Sequence, residues 1–97
     1  MVGYLKIKFK SFGPVRRLLK EKVIDVEAPS DSSVRQVINI VVELGGEELR
    51  KLIMHNDAIS GNLIVMLNKR DVETLGGIDI VVHDGDEVAI LPHVQGG

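Results

Sequence analysis

The chain contains no cysteine among its 97 residues. It therefore cannot form a disulfide or a thiolate metal site, and it has no cysteine nucleophile or persulfide carrier. Aromatic residues are also scarce, because only Tyr4, Phe9 and Phe12 are of the Phe, Tyr or Trp type. We expect an aliphatic core, and the near absence of stacking side chains argues against a platform for single-stranded nucleic acid.

Long apolar runs are absent as well. No run approaches the ~18 residues of a membrane span, and residues 1–6 lack the apolar segment of a signal peptide. We therefore expect a cytoplasmic protein. The formal net charge of −2 provides no general attraction to nucleic acid or to an anionic membrane, so neither is an expected partner.

One local cluster of basic residues would favour nucleic acid, and it consists of Lys6, Lys8, Lys10, Arg16, Arg17 and Lys20. Its lysines alternate with apolar residues, which is typical of the solvated face of a strand. The histidines His55, His83 and His93 lack the paired spacing of metal ligands, so no metal site is expected.

What is present indicates one ordinary globular domain. Hydrophobic residues make up 44% of the chain and charged residues 27%. Chains shorter than about 150 residues rarely divide into two domains, and a chain of this size can bury one core. We predict a single folded unit over residues 1–91, followed by a flexible tail over residues 92–97.

The first third of the chain predicts two strands separated by a short helix. Leu5, Ile7 and Phe9 alternate with lysines in the period of a strand that has one buried face. Pro14 suits the first turn of a short helix. Residues 23–26 then form the second strand, so the two strands pair without a tight turn between them.

The main helix is predicted from an apolar stripe that begins at Val34. Its members recur with the helical period, at Val34, Val37, Ile38, Val41 and Val42. Gly45 and Gly46 are expected to stop this helix, and residues 47–53 to add one or two further helical turns with acidic residues first and basic residues last.

The second half of the chain predicts two or three more strands. Residues 63–67 are a continuous apolar run, residues 68–71 a turn, residues 72–77 an irregular segment, and residues 78–82 a further apolar run. Residues 84–86 are a turn signal, residues 87–91 the last strand, and Pro92 its end. For an α+β chain of this size we expect one sheet packed on one helix. The last strand is expected to lie beside the first, in the middle of the sheet.

The end of the sequence carries the main functional signal. Gly96 and Gly97 have no side chains, so they leave the carboxylate on a thin thread that can enter a narrow active site of another protein. The six residues from Pro92 onward reach about 20 Å if extended. We therefore expect the reactive group of this chain to be its end.

A combination of segments carries a family resemblance: NKRDVETLGG at residues 68–77, DGDEVAILP at residues 84–92, and the final Gly-Gly. Together they closely resemble the MoaD-like small subunits of molybdopterin synthase, which are ubiquitin-like sulfur carriers. The resemblance implies a β-grasp fold, in which a mixed sheet of about four or five strands curls around one main helix.

The resemblance also implies an activity and partners. An E1-like adenylyltransferase (MoeB-like) uses ATP to adenylate the terminal glycine, here Gly97, and a sulfur donor system converts the adenylate to a thiocarboxylate. The large subunit of molybdopterin synthase (MoaE-like) then receives the tail and uses its sulfur in molybdenum cofactor biosynthesis. The carrier binds no cofactor and is a protein cosubstrate rather than an enzyme.

The site residues follow from this resemblance and from the strand pattern. Gly96 and Gly97 form the reactive end, and the expected partner contacts are Leu91, Pro92, His93, Val94 and Gln95. Val88 and Ile90 should point into the core and Leu91 to the other face, where it either docks a partner or packs under a loop.

The tail departs from the family pattern, which has a second proline after the first and a small residue before Gly-Gly. Three alternatives therefore stay open. The first is a carrier for tRNA thiolation or thiamin synthesis, and the second is a ubiquitin-like modifier joined to lysines through Gly97. The third, of another class, is a passive β-grasp interaction module.

Overall fold

The computed structural model describes residues 3–92. Over this part of the chain it has seven strands, two α-helices and one 3₁₀ turn, Val72–Thr74. In chain order the elements are β1 (Tyr4–Lys10), α1 (Gly13–Leu19), β2 (Val23–Pro29), α2 (Val34–Ile53), β3 (Met54–His55), β4 (Ala58–Ile59), β5 (Leu63–Leu67), β6 (Arg70–Asp71) and β7 (Glu87–Pro92).

Five of the strands form one mixed sheet in the order β2-β1-β7-β5-β6. The strand β7 lies in its middle, parallel to β1 and antiparallel to β5. The predicted mixed sheet is confirmed, and so is the placement of the last strand beside the first. The strands β3 and β4 form a separate small hairpin.

The pairing of β1 with β2 explains the alternating lysines. Ile7 and Phe9 are completely buried, whereas Lys6 and Lys8 are exposed on the other face. Across the pair, Lys6 lies opposite Glu27 and Lys8 opposite Asp25, whose carboxylate is 3.8 Å from the Lys8 ammonium. These lysines are therefore a solvated face whose positive charge is opposed by neighbouring acids.

Helix α2 supplies most of the layer under the sheet. Ser33 caps its first turn: the hydroxyl accepts the N–H of Gln36 at 3.2 Å, and the Gln36 side chain accepts the N–H of Ser33 at 2.8 Å. The predicted apolar stripe is confirmed, since Val34, Val37, Ile38 and Val41 are 0% exposed and Val42 2%.

The helix is broken where the two glycines stand. Gly46 adopts φ 79° and ψ −165°, outside the helical region, and the helix resumes beyond it through Ile53. The predicted stop and the predicted further turns are therefore both confirmed. Leu49 and Ile53 of the second half are completely buried and join the same core.

The segment between α2 and β7 is the part of the chain whose structure differs most from the predicted strands and turns. The hairpin β3–β4 begins at the end of α2 and lies mostly in the stretch 55–62, which is polar in sequence. Its turn residues Asn56 and Asp57 have φ of 51° and 62°. Positive φ at both central positions is the signature of a tight hairpin turn. The predicted turn 68–71 ends in the short strand β6.

The apolar run 78–82 makes only one isolated bridge, between Ser33 and Val81. Its backbone carbonyls serve another purpose, because Ile80 accepts the N–H of Val34 and Ile78 that of Arg35, both at 3.0 Å. The first N–H groups of a helix have no partner within it. This run satisfies two of them at the start of α2.

Within residues 3–92, no helix is both long enough and apolar enough to cross a membrane.

Candidate functional site

A rigid turn fixes the start of β7. Gly85 has φ 88°, and the N–H of Asp86 bonds back to the carbonyl of His83 at 3.0 Å. The Asp84 carboxylate accepts the N–H of Lys6 at 2.7 Å, while the N–H of Gly85 donates to the Lys6 carbonyl at 2.8 Å. The sequence DGD therefore forms the turn that its composition predicts, and its hydrogen bonds to Lys6 tie this turn to β1.

From this turn β7 runs through the centre of the sheet towards the C-terminus. Val88 and Ile90 are 0% and 1% exposed, and Leu91 is half-buried on the opposite face. The predicted orientations of Val88, Ile90 and Leu91 are thus confirmed. The strand extends through Pro92, which is exposed and lies opposite Leu63 of β5.

An apolar surface accompanies the last part of β7 on the side of the sheet away from α2. Leu91 lies opposite Ile64 in the sheet, and Ala89 lies opposite Met66. Residues directly opposite each other in a strand pair share a face. We call these four residues the outer patch, in which Ala89 is 5% exposed and the other three are half-buried.

Charged residues border the outer patch at its other end. Lys10 is aligned with Ala89, and Lys8 with Glu87, in the parallel pairing of β1 with β7. The face of the sheet therefore changes from charged, near the start of β7, to apolar, near its end. An apolar centre with a polar rim is the usual anatomy of a protein interface.

On the opposite side of β7, a small apolar cavity lies at the point where the strand ends. It has a volume of about 100 Å³, and we call it the tail-root groove. Its lining comes from the α1 region, α2, β5 and β7, through Phe12, Pro14, Val15, Leu52, Leu63, Ile90 and Pro92. Sequence reasoning missed this groove, since its residues are far apart along the chain.

Two cations lie over the ring of Phe12, which lines this groove. The Lys10 ammonium is 5.5 Å and the Arg16 guanidinium 5.6 Å from the ring centroid. Arg16 is held in place because its Nε and one terminal nitrogen both donate to the Ser11 carbonyl at 3.2 Å. Phe12, which lines the groove together with Pro92, therefore has two cationic neighbours.

The remaining predicted site residues are His93, Val94, Gln95, Gly96 and Gly97. They lie outside the residues that the structure describes, and their roles stay predictions. Leu91 and Pro92 are the two predicted site residues whose places are described, one in the outer patch and one beside the tail-root groove.

A second cleft, of about 450 Å³, lies beside β5 and β6 and was not predicted. Arg35 lines it and donates to both carboxylate oxygens of Asp79, at 2.7 and 3.2 Å. This hydrogen bonding and the opposite charges lower the pKa of Asp79 and raise that of Arg35. The only cationic side chain of this cleft is thus already paired within residues 3–92, which argues against an anion site there.

Among the residues described, no three His, Asp or Glu side chains gather in a way that could hold a metal ion.

Comparison with known proteins assigns the family. The model of the ThiS family matches residues 10–97. A protein of Archaeoglobus fulgidus named as a sulfur carrier protein is 31% identical over 74 residues, which cover 75% of this chain and 84% of that protein. Small archaeal modifier protein 3 of Haloferax volcanii is 27% identical over 103 residues, covering 96% of this chain and all of that protein.

Solved structures with the same fold include small archaeal modifier protein 1 from Methanosarcina acetivorans, with a TM-score of 0.84, 20% identity and coverage of 98% of this chain and 99% of that one. A Pyrococcus furiosus protein described as molybdopterin converting factor subunit 1 gives a TM-score of 0.72 at 26% identity, over 93% and 99% of the two chains. A chain of the BexX/CysO complex of Amycolatopsis orientalis gives a TM-score of 0.75 at 25% identity, with coverage of 94% of this chain and 99% of that one.

The sheet order, the single long helix and these likenesses confirm the predicted β-grasp arrangement. Members of this group are small ubiquitin-like carrier proteins. The chain belongs to the ThiS family of ubiquitin-like sulfur carriers.

Proposed function

We propose that this protein carries sulfur as a thiocarboxylate on Gly97 and delivers it to a molybdopterin synthase for molybdenum cofactor biosynthesis. The family match through residue 97 and the likeness to a molybdopterin converting factor subunit support this proposal. The carrier is a cosubstrate in the reaction, and its catalytic groups belong to the partner enzymes.

The chemistry follows from the weakness of a carboxylate as an electrophile. In the activating enzyme, a carboxylate oxygen of Gly97 attacks the α-phosphorus of ATP, and pyrophosphate leaves. Hydrosulfide supplied by the donor system then attacks the carbonyl carbon, AMP leaves with the oxygen that bound it, and loss of one proton leaves the thiocarboxylate. The absence of side chains at Gly96 and Gly97 gives both attacking groups close access.

The observation that carries the proposal is the position of the outer patch beside the end of β7. Leu91, Ile64 and Met66 offer an apolar docking surface one residue before Pro92, from which the tail continues. A partner that binds this patch would thus receive Gly97 within about 20 Å of its contact surface. The partner-bound CysO chain, which has the same fold, is consistent with docking by such proteins.

The direct test is the mass of the intact protein after reaction. The protein is incubated with a cognate E1-like enzyme, ATP and a sulfur donor, and the mass should rise by the difference between one sulfur and one oxygen atom. The same mixture without ATP, and the variant lacking Gly96 and Gly97, should show no change. An unchanged mass with an active enzyme would refute the carrier function.

The step to molybdopterin has its own test. The thiocarboxylated protein is mixed with the large synthase subunit and a pterin precursor, and the sulfur should appear in the pterin as the carrier returns to its carboxylate form. If the carrier keeps its sulfur in this mixture but transfers it in a separate reaction with a tRNA or thiamin system, then the carrier chemistry stands and the pathway assignment is wrong.

A second function is favoured by one observation. Small archaeal modifier protein 3 aligns over its whole length with 96% of this chain, so a modifier role through Gly97 is the second candidate. In such a reaction a lysine amine attacks the same adenylate-activated carbonyl. Peptides from cell extracts that carry a lysine-linked remnant of this tail would support it, and their absence in cells that express the protein would remove it.

A further inference from the structure

We propose that the open edge of β5 binds an extended segment of a partner protein, which adds to the sheet as a further strand parallel to β5. The segment carries apolar residues next to a lysine or an arginine. Its site is the cleft of about 450 Å³ beside β5 and β6, which we call the edge cleft. Such binding requires no chemistry at Gly97.

The strand β5 has a neighbour on this side over only part of its length. Within residues 3–92, β6 pairs with Met66 and Leu67 alone, so Leu63, Ile64 and Val65 have no strand beside them. All three of these residues line the edge cleft, although successive side chains of a strand point to opposite faces. The cleft must therefore run along the edge of the strand, where the backbone groups lie.

The pairing with β7 shows which backbone groups point into the cleft. The N–H of Asn68 donates to the carbonyl of Glu87 at 2.8 Å. Backbone bonds alternate along an antiparallel pair, so Met66 and Ile64 also bond towards β7. The residues between them, Val65 and Leu63, direct their N–H and C=O groups to the opposite side, where the edge cleft lies.

Two of these groups are left for a ligand. The Leu63 N–H already donates to the Ser60 carbonyl at 3.2 Å. Among the residues described, no bond outside the strand ladders uses the Leu63 carbonyl or the Val65 N–H. The Val72 carbonyl, just beyond β6, already accepts two other N–H groups, at 2.9 and 2.8 Å. One acceptor and one donor, two residues apart, therefore face the cleft.

This arrangement fits a parallel strand. An antiparallel strand would exchange two bonds with a single residue, whereas the slanted bonds of a parallel strand join one of its residues to two residues of its neighbour. The added residue aligned with Ile64 would thus donate to the Leu63 carbonyl and accept the Val65 N–H. Addition of an extended peptide to an open sheet edge is a known mode of protein recognition.

The side chains around the edge favour apolar ligand residues. The added residue aligned with Ile64 shares its face and lies next to the outer patch. The ligand residues on either side of it share the face of Leu63 and Val65, where Val72 and Ile78 belong to the core cluster and also line the cleft. Three consecutive apolar residues therefore fit this edge.

The charges of the edge cleft select a basic partner. Asp71 and Glu73 line the cleft, and within residues 3–92 neither forms an ion pair. The cation of the lining, Arg35, is neutralised by Asp79 at 2.7 Å. The remaining negative charge attracts a lysine or arginine that flanks the apolar residues. It disfavours a second copy of this chain, since two edges would bring the same carboxylates together.

The test is an NMR titration of the ¹⁵N-labelled 97-residue protein with a pentapeptide, acetyl-Lys-Val-Leu-Val-Arg-amide. We expect saturable shifts over residues 60–65 and 71–73. The Val65 amide proton should move downfield and exchange more slowly, because it gains an acceptor. A peptide with glutamate at both ends should bind about fivefold more weakly or worse. The absence of saturable shifts in both segments would overturn the proposal.

Two methylated peptides test the backbone contacts. Methylation of the leucine nitrogen removes the donor to the Leu63 carbonyl and should weaken binding about tenfold or more. Methylation of the second valine nitrogen is the matched control, because that N–H points away from β5 in a parallel ladder. Equal affinity of both methylated peptides and the original would overturn strand addition. A greater loss with the methylated valine would overturn the parallel register.

Variants of the protein test the charge and the occupant. Glu73→Lys should weaken peptide binding about fivefold or more. Glu43→Lys, at an exposed position of α2 outside the edge cleft, should leave it unchanged. Equal effects of the two variants would overturn the role of charge. If the same amide signals shift when the protein alone is concentrated, then the edge pairs two copies, which would overturn the assignment of a separate partner. Because no enzyme is present, these outcomes are independent of whether the protein carries sulfur.

Discussion

Asn68 and Glu87 are joined by two hydrogen bonds that tie the β5–β6 turn to the start of β7. The Asn68 side-chain oxygen accepts the N–H of Glu87 at 2.9 Å, and the Asn68 N–H donates to the Glu87 carbonyl at 2.8 Å. The Asn68 side-chain nitrogen also donates to Asp86 at 3.1 Å. The segments that carry the family resemblance, 68–77 and 84–92, therefore meet here, and their shared role is to place the strand that leads to the tail.

Replacing Asn68 tests this structural role. Asn68→Gly removes both side-chain hydrogen bonds and should lower the free energy of unfolding by about 1–2 kcal/mol. Asn68→Ala should lower it by about 1 kcal/mol more, because φ is 50° at this position and a Cβ is disfavoured there. Urea unfolding measures both variants. Equal stability of the alanine and glycine variants would contradict the backbone part of this account.

The break in α2 provides a second prediction. Gly46 has φ 79° and ψ −165°, a region that residues with a Cβ rarely adopt. Gly46→Ala should therefore lower the free energy of unfolding by about 1–3 kcal/mol. Gly45→Ala should also destabilise the protein, because its Cβ would collide with the Leu49 side chain in the core.

The control for both glycine variants is Gly61→Ala. No atom lies within 4 Å of a Cβ built at Gly61, and its φ is outside the left-handed region. Its effect should stay within about 0.5 kcal/mol. Thermal unfolding compares the three variants, and a Gly46→Ala protein as stable as the control would refute the assignment of strain to this break.

These two glycines also mark how far the sequence predicts the fold. The alternation around Ile7 and the helical period from Val34 each predict which face of the element is buried. The elements β1 and α2 can therefore be predicted from the local pattern alone. The pair Gly45 and Gly46 predicts the break, and the order of acidic and basic residues over 47–53 predicts the helical turns that follow it.

The elements that sequence reasoning did not predict depend on distant partners. The run 78–82 is as apolar as a strand, yet its carbonyls at Ile78 and Ile80 bond to the first turn of α2, which lies more than 40 positions earlier in the sequence. The tail-root groove likewise joins Phe12, Leu52 and Ile90. No periodicity within one segment can place such residues together, whereas Leu91 was predictable because its orientation follows from β7 alone.

The Arg35–Asp79 pair gives a prediction for pH. Hydrogen bonding by Arg35 lowers the pKa of Asp79 in the folded protein below the ordinary value of about 3.9. The pair therefore contributes its full stability above that ordinary value and loses it as the pH falls through the folded pKa. The carboxylate is 71% exposed, so added salt should weaken the contribution.

A double-mutant cycle isolates this pair. Asp79→Asn, Arg35→Gln and the double variant are compared by urea unfolding between about pH 2 and 7. The coupling free energy should be favourable at neutral pH, vanish at the acid end and shrink in high salt. If, at neutral pH, the losses of unfolding free energy in the two single variants add up to the loss in the double variant, then the pair contributes nothing to stability.

The docking role of the outer patch is tested at Leu91. Leu91→Ala removes apolar contact area next to the tail while leaving Gly96 and Gly97 intact, so affinity for an E1-like enzyme should fall about 5- to 10-fold or more. Calorimetry on the unreacted proteins measures this without any chemical step.

Leu44→Ala is the matched control, because it removes the same side chain from an exposed position of α2 that lies outside the patch. If both variants bind as tightly as the original protein and unfold at similar urea concentrations, then the partner does not use the outer patch. The tail alone would then have to provide recognition. A fall confined to Leu91→Ala, with its stability retained, assigns the surface beside β7 to partner binding.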